Sequence, residues 1–238
     1  FIDKLFYKDI LSVHDTSFVI VLPFIFFFSH NPNSCLVAVD YKFCSIPVLQ
    51  LCNNLKDLYI RKFLIISVPS VYKMILSILK DTANKFFQSQ SLITCGEPLD
   101  QQLAFKISNY NPKSFFNLYG STEVAPWIIF LNVKEYMFSN PDHLDPILPA
   151  GKALPNVNLL ISNNNELLVN AKSVFTGYLN KDNTSDFEII NTKKFFRTGD
   201  NFQLKDDFYF CKGRINSAVK IAGVFINPML LEAAIKYD

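Results

Sequence analysis

Residues 91–116, SLITCGEPLDQQLAFKISNYNPKSFF, decide the fold. Ser91-Leu92-Ile93-Thr94 is a short, mostly apolar run of the kind that makes a strand covered on both faces. Gly96-Glu97-Pro98 breaks it. Leu99, Leu103 and Ile107 then fall on one side of a helix. Ser114-Phe115-Phe116 is a second strand. Strand, helix, strand in this order implies a parallel sheet with helices on its faces.

The pattern extends toward the N-terminus. Phe18-Val19-Ile20-Val21-Leu22 and Cys35-Leu36-Val37-Ala38-Val39 are continuous apolar runs, read as strands. Val48, Leu51, Cys52 and Leu55 sit at i, i+3, i+4, i+7, one face of a helix. Phe63-Leu64-Ile65-Ile66 is another strand. Pro69 suits the first turn of a helix, and Val71, Ile75, Ile78 and Leu79 make its apolar stripe. Ligands of such sheets bind beyond the carboxyl ends of the strands. Gly96-Glu97-Pro98 and the stretch from Tyr119 to Glu123 both lie at that edge.

After about Pro126 short strands alternate with turn residues. Val157 to Ile161 and Glu166 to Val169 flank Asn163-Asn164-Asn165, whose side chains tolerate the left-handed conformation of a hairpin. Phe175-Thr176-Gly177-Tyr178, Phe195-Phe196-Arg197 and Phe208-Tyr209-Phe210 continue the pattern. The fold class expected is α/β: a mostly parallel sheet with flanking helices, then a β-rich small barrel. Past Asn216 a strand from Val219 to Phe225 leads through Asn227-Pro228 to a helix with Leu230, Leu231 and Ile235, the start of a C-terminal α+β lobe. The boundaries expected are 1–127, 128–215 and 216–238.

Bulk properties exclude several classes. Half of the 238 residues are hydrophobic and 24 are Phe, which fits a packed globular chain. A net charge of +2, with no basic patch interleaved with aromatics, gives no case for nucleic acid. The five cysteines form no C-x-x-C pair, so free thiols in a reducing, cytoplasmic setting are expected. Phe18 to Phe28 is far shorter than the roughly 20 residues that span a bilayer, and Pro23 interrupts it. Asn183-Thr184-Ser185 spells a glycosylation sequon, with no signal peptide to give it meaning. His14, His30 and His143 have no evident partners and read as structural or surface residues.

The chemistry centres on Asn117-Leu118-Tyr119-Gly120-Ser121-Thr122-Glu123. Two hydroxyls and a carboxylate on a Gly turn suit a phosphate and Mg²⁺, which takes one or two carboxylates plus substrate phosphates. The same residues also suit a helix start with Ser121 or Thr122 as N-cap. Four companions narrow the choice: Cys95-Gly96-Glu97-Pro98-Leu99, Phe196-Arg197-Thr198-Gly199-Asp200, Gly213-Arg214-Ile215-Asn216, and Val219-Lys220-Ile221-Ala222-Gly223. In this order and spacing, from about Leu64 to Glu232, they resemble the core motifs of the adenylate-forming superfamily. That family includes acyl- and aryl-CoA ligases, amino-acid-adenylating domains of peptide synthetases, and luciferases.

The resemblance implies ATP-dependent activation of a carboxylic acid as an acyl-adenylate, then transfer to a thiol of CoA or a carrier-protein phosphopantetheine arm. It places Ser121 and Thr122 on the phosphates and Glu123 on Mg²⁺. Tyr119, after which Gly120 turns, packs against adenine, and Asn117 lies near its amino group. Gly96, Glu97 and Pro98 form adenine's other wall. Asp200 receives the ribose hydroxyls, and Arg214 lies near ribose and phosphate. Asn216 stands at the hinge, where the family usually has Asp or Lys. Lys220 matches a loop near the thiol path, although an exposed strand lysine reads as well.

The segment Phe18 to Phe28 lacks the Asp that amino-acid-adenylating members carry there to pair with the substrate's ammonium, and an unpaired buried ammonium is costly. Asp15 to Phe24 and Phe225-Ile226-Asn227-Pro228 also look more like acyl-CoA ligases. An acyl or aryl acid is therefore favoured; an amino acid is the alternative, and a non-catalytic AMP-binding relic is a third reading. Two family elements are absent from these residues: the Ser/Thr/Gly-rich loop with its Lys, expected before Phe1, and the C-terminal catalytic Lys, expected after Asp238. The chain reads as a piece of a longer enzyme. The 238 residues alone are expected to give no pyrophosphate exchange above background, and an exchange signal from them would refute that.

Overall fold

The computed structural model describes residues 9–12, 35–38, 63–88, 90–124, 127–141, 145–180, 182–215, 219–221 and 224–226. The chain divides into two compact units, Phe1–Asn117 with Asn132–His143, and Leu118–Leu131 with Leu144–Asp238.

β1 (Asp9–Ser12), β2 (Cys35–Ala38), β3 (Phe63–Ser67) and β4 (Ser91–Cys95) of the first unit, with β5 (Ser114–Tyr119), whose last two residues belong to the second, lie in the order β2-β1-β3-β4-β5. The β1–β2, β1–β3 and β3–β4 pairs are parallel. Strands expected from Cys35, Phe63, Ser91 and Ser114 are therefore present. β1 was not anticipated; its four residues, Asp-Ile-Leu-Ser, carry no apolar run. The strand expected at Phe18–Leu22, the helix from Val48, and the three histidines lie outside the described residues.

The helix expected after Pro69 is α1 (Pro69–Leu79), with Pro69 at its start and Val71, Tyr72, Ile75, Leu76 and Leu79 buried. A short α2 (Ala83–Phe87) follows. The helix expected after Gly96-Glu97-Pro98 is α3 (Gln101–Asn109). Asp100 caps it, accepting the Leu103 N–H at 2.8 Å, and also pairs with Lys73 at 2.5 Å. α4 spans Val133–Ser139. Among the described residues no helix is long and apolar enough to cross a membrane.

In the second unit β6 (Ile129–Asn132) pairs antiparallel with β7 (Lys152–Ala153). β8 (Asn158–Ile161), β9 (Glu166–Asn170), β10 (Phe187–Ile190), β11 (Lys193–Lys205) and β12 (Phe208–Arg214) form a five-stranded antiparallel sheet, ordered β10-β11-β9-β8 with β12 also on β11. The β8–β9 hairpin closes as expected, with Asn165 at φ +62°. Val124, Ile128, Leu167, Val169, Phe196 and Phe202 pack its core.

Three expectations are corrected. The β-rich part is an open sheet, with no closed barrel among the described residues. Phe175–Tyr178 is not a strand but an irregular segment bent at Thr176, whose aromatic residues are held by ring contacts: Phe175 meets Tyr178, Phe187 and Phe196 at 4.8, 5.7 and 5.1 Å. The single strand expected from Val219 to Phe225 is a hairpin of β13 (Val219–Ile221) and β14 (Val224–Ile226). The helix expected near Leu230 lies outside the described residues.

One hydroxyl ties the first unit together. Tyr72, fully buried on α1, has its Oη 2.9 Å from the carbonyl oxygens of both Ile65 and Ile93, on β3 and β4. Removing a buried donor leaves its acceptors unsatisfied, at a cost of about 1–3 kcal/mol. Tyr72→Phe is expected to lower unfolding stability by that amount, read from the urea midpoint; an unchanged midpoint would show that the hydroxyl does not hold the helix to the sheet.

Candidate functional site

The site of the second unit is built where β5 ends and β11 bends. Tyr119 closes β5, Gly120 follows, and Thr122–Val124 form a single 3₁₀ turn. The Tyr119 carbonyl accepts the Ile128 N–H at 2.9 Å, and its ring stands edge-on to Phe202 at 4.8 Å. Its hydroxyl donates to Asp200 Oδ2 at 2.5 Å.

Asp200 lies on β11 within an irregularity. The register of β11 against β9 shifts between Arg197 and Asn201, and Gly199 sits at φ +71°, a conformation that favours glycine. Across the sheet Asp200 faces Arg214 of β12, whose Nε lies 3.0 Å from Oδ1. The same guanidinium donates to the Thr198 carbonyl at 2.9 Å. Asp200 is 9% exposed. Burial pushes its carboxyl up from the ordinary value, against the downward pull of the Tyr119 hydrogen bond and the Arg214 charge. Burial, with the Asp200 charge added, pushes the Tyr119 phenol up as well.

The bend has its own supports. Thr198 Oγ1 donates to the Leu167 carbonyl at 2.9 Å and accepts the Asp200 N–H at 3.1 Å. Glu166 accepts the Gly199 N–H at 3.0 Å and an Arg197 N–H at 2.5 Å.

Glu123 is held from the turn segment that follows β9. The Phe175 N–H donates to the Glu123 carbonyl, and the Tyr178 hydroxyl to Oε1, both at 2.8 Å. Asn183 fixes Tyr178 by accepting its N–H at 2.6 Å and donating to its carbonyl at 3.0 Å. Burial alone would raise the Glu123 carboxyl. The nearby Ser121 hydroxyl, its own backbone N–H and the Tyr178 hydroxyl, with the Arg214 charge, hold it below the usual carboxylate range. Tyr178 is pushed up to about 12 by burial and by Glu123. A cavity of about 240 Å³ opens here, lined among others by Ser121, Glu123, Tyr178, Gly199 and Arg214.

The second unit thus brings together Tyr119, Ser121, Glu123, Asp200 and Arg214, with Gly120 between them and Thr122 exposed on the turn. Gly96, Glu97, Pro98 and Asn117 belong to the first unit. There Gly96 has φ +79°, and Glu97 accepts the Ser70 N–H at 2.9 Å and its hydroxyl at 2.8 Å, serving the first turn of α1. Asn117 is 5% exposed, and its Oδ1 has no hydrogen-bond partner among the described residues. Lys220 falls on β13 opposite Phe225; Asn216 lies outside the described residues. Among the described residues no three His, Cys, Asp or Glu side chains gather into a metal site. Glu166, Arg197 as its partner, and Tyr178 were not picked out from sequence.

The chain was compared with known proteins. A family model described as AMP-binding enzyme matches residues 4–179. A D-alanine–D-alanyl carrier protein ligase of Staphylococcus epidermidis is 28% identical over 163 residues, 66% of this chain and 32% of its own length. The ligase of the same name from Staphylococcus haemolyticus is 29% identical over 163 residues, with the same coverage. This chain spans about a third of the length of these curated relatives. Among solved structures, IdnL7 matches with a TM-score of 0.75 at 20% identity, over 97% of this chain and 47% of its own. The Vibrio cholerae adenylation domain AlmE, in complex with glycyl-adenosine-5′-phosphate, gives 0.68 at 21%, over 99% and 46%. At these identities the structures show a shared fold.

The Glu123 surroundings set a pH dependence. Its folded value lies below the ordinary 4.5, so its charge stabilises the fold above about pH 4.5, and that contribution is lost as pH falls through the folded value. Glu123→Gln removes it at every pH. Wild type is expected to exceed the variant by less than about 1 kcal/mol at pH 6–7, because the group is partly solvated. The two stabilities should converge once the pH has fallen below the lowered folded value. A gap that widens on acidification, read from urea midpoints across pH, would reverse the sign.

Proposed function

The chain belongs to the AMP-binding enzyme family, and from that premise we propose that it is the nucleotide-holding part of an ATP-dependent ligase. The reaction is attack of a substrate carboxylate on the α-phosphate of ATP, with pyrophosphate leaving and an acyl-adenylate forming. A thiol then takes the acyl group and AMP departs. The observation that carries this reading is the Asp200–Arg214 pair beside a cavity that also holds Ser121 and Glu123. An acceptor for two hydroxyls, a cationic fork and an ionised carboxylate stand within one unit.

The residues present fit the groups this chemistry needs. The orphaned Oδ1 of Asn117 is a buried acceptor that an amino donor such as adenine's would satisfy. Asp200 offers two ionised oxygens, which accept hydroxyl hydrogen bonds strongly. Arg214 has the planar donor geometry that matches phosphate. Glu123, held ionised, suits a Mg²⁺ bound through one carboxylate and substrate phosphates. That ion would supply charge neutralisation at the phosphates. In this reading Ser121 and Thr122 meet the phosphates, Tyr119 with Gly120 meets adenine, Asn216 is the hinge, and Lys220 lies near the thiol path. Residues 216–238 begin a further lobe. Free thiols at Cys95 and Cys211 fit a reducing, cytoplasmic setting.

The acceptor we favour is a phosphopantetheine arm on a carrier protein, supported by the relatives named for carrier-protein ligation; CoA is the other thiol. For the acid, the acid-free segment Phe18–Phe28 favours an acyl or aryl substrate. A second reading, an amino acid, draws on the same relatives' naming for D-alanine. Acyl- and D-alanyl-sulfamoyladenosine, compared by thermal shift, separate the two.

AMP is expected to bind the 238-residue chain and to protect the amides of Tyr119–Val124 and Thr198–Asn201 from hydrogen exchange. Asp200→Asn should weaken AMP binding at least about tenfold by losing charge-assisted acceptors. Saturating AMP with no added protection at either segment would end the nucleotide reading.

A further inference from the structure

Glu166 opens β9 and is 4% exposed, the one acid among the buried residues Leu167, Leu168 and Val169. A buried carboxylate is tolerated only with charged or hydrogen-bonding partners. Glu166 has both. Oε2 accepts from the Arg197 guanidinium at 2.5 Å, and Oε1 accepts the backbone N–H of Gly199 at 3.0 Å. Arg197 is the last residue in register before the shift of β11, and Gly199 lies inside it, immediately before Asp200. At such a shift the strand ladder lapses, and backbone groups need other partners. Arg197 also reaches Glu188, at a longer 3.5 Å. Although Glu166 borders the cavity, its two oxygens are both taken up by the bend.

We propose that Glu166 is a positioning residue for Asp200: by gripping Gly199 and Arg197 together it fixes the bend that aims the Asp200 carboxylate at a ligand's vicinal hydroxyls. The inference rests on the reading of Asp200 as the ribose acceptor. The physical argument is one of geometry. A carboxylate presents acceptors to both donors at once. Glutamine in its place presents one acceptor and one NH₂, so one donor faces another donor and the bend relaxes. Two hydroxyl bonds to one carboxylate depend on its placement, because hydrogen bonds weaken steeply as their geometry departs from linearity.

The test is calorimetric titration of the 238-residue chain with AMP and with 2′,3′-dideoxy-AMP, which lacks the hydroxyls. In wild type AMP should bind about tenfold or more tightly than the dideoxy nucleotide. In Glu166→Gln that ratio should fall below about three, with the dideoxy affinity changed less than about twofold. A merely structural role would weaken both ligands alike and leave the ratio intact, which overturns the proposal. A wild-type ratio near one overturns the reading of Asp200, and the proposal with it, before any variant is made. If Glu166→Gln does not fold, Arg197→Lys keeps the charge but loses the fork. It must lower the same ratio, and an unchanged ratio there overturns the proposal.

Discussion

The Asp200 carboxylate is largely withdrawn from water, and a charge so placed destabilises a fold unless other groups meet it. Tyr119 and Arg214 do so from different elements. The end of β5, the middle of β11 and the end of β12 are thereby brought to one point. β11 reaches that point only by breaking its register, and the break in turn relies on Gly199, Thr198 and Glu166. Burial still pushes the carboxyl up, so these partners do not fully offset the loss of water. A site of this kind trades stability for a prepared acceptor.

Much of the fold was legible because it follows from periodicity. Parallel strands buried on both faces must be apolar runs, and Phe63–Ile66 and Ser91–Thr94 are such runs. β1 was invisible because four residues with an Asp at one end and a Ser at the other leave no pattern; parallel neighbours on both sides make it a strand. Phe175–Tyr178 misled for the opposite reason. Its aromatic residues are there to pack on Phe187 and Phe196, not to pair as a strand, and composition cannot distinguish those uses. The stretch Val219–Phe225 reads as one strand because Gly223 is its only turn-forming residue.

The candidate site was legible to a different degree. Glu123, Asp200 and Arg214 sit in short ordered motifs, and the structure puts them in one unit. Glu166 left a faint signal, an acid at the head of an apolar strand, that gains meaning only once Gly199 and Arg197 are seen against it. Tyr178 left none, because its partner Glu123 is 55 positions away. Glu97 also has a local task that left no sign in the sequence, satisfying an amide at the start of α1.

The Tyr119–Asp200 bond joins residues 81 positions apart. Contacts so distant in sequence form only after a long loop has closed, and folds dominated by them assemble slowly. During synthesis at about 5–20 residues per second, Asp200 leaves the ribosome roughly 4–16 seconds after Tyr119. For that interval the nascent chain has the hydroxyl turn and Glu123 but not the bent strand that completes the pocket. On the proposed reading, a nucleotide would find the Asp200 carboxylate only at the last stage of folding of the second unit.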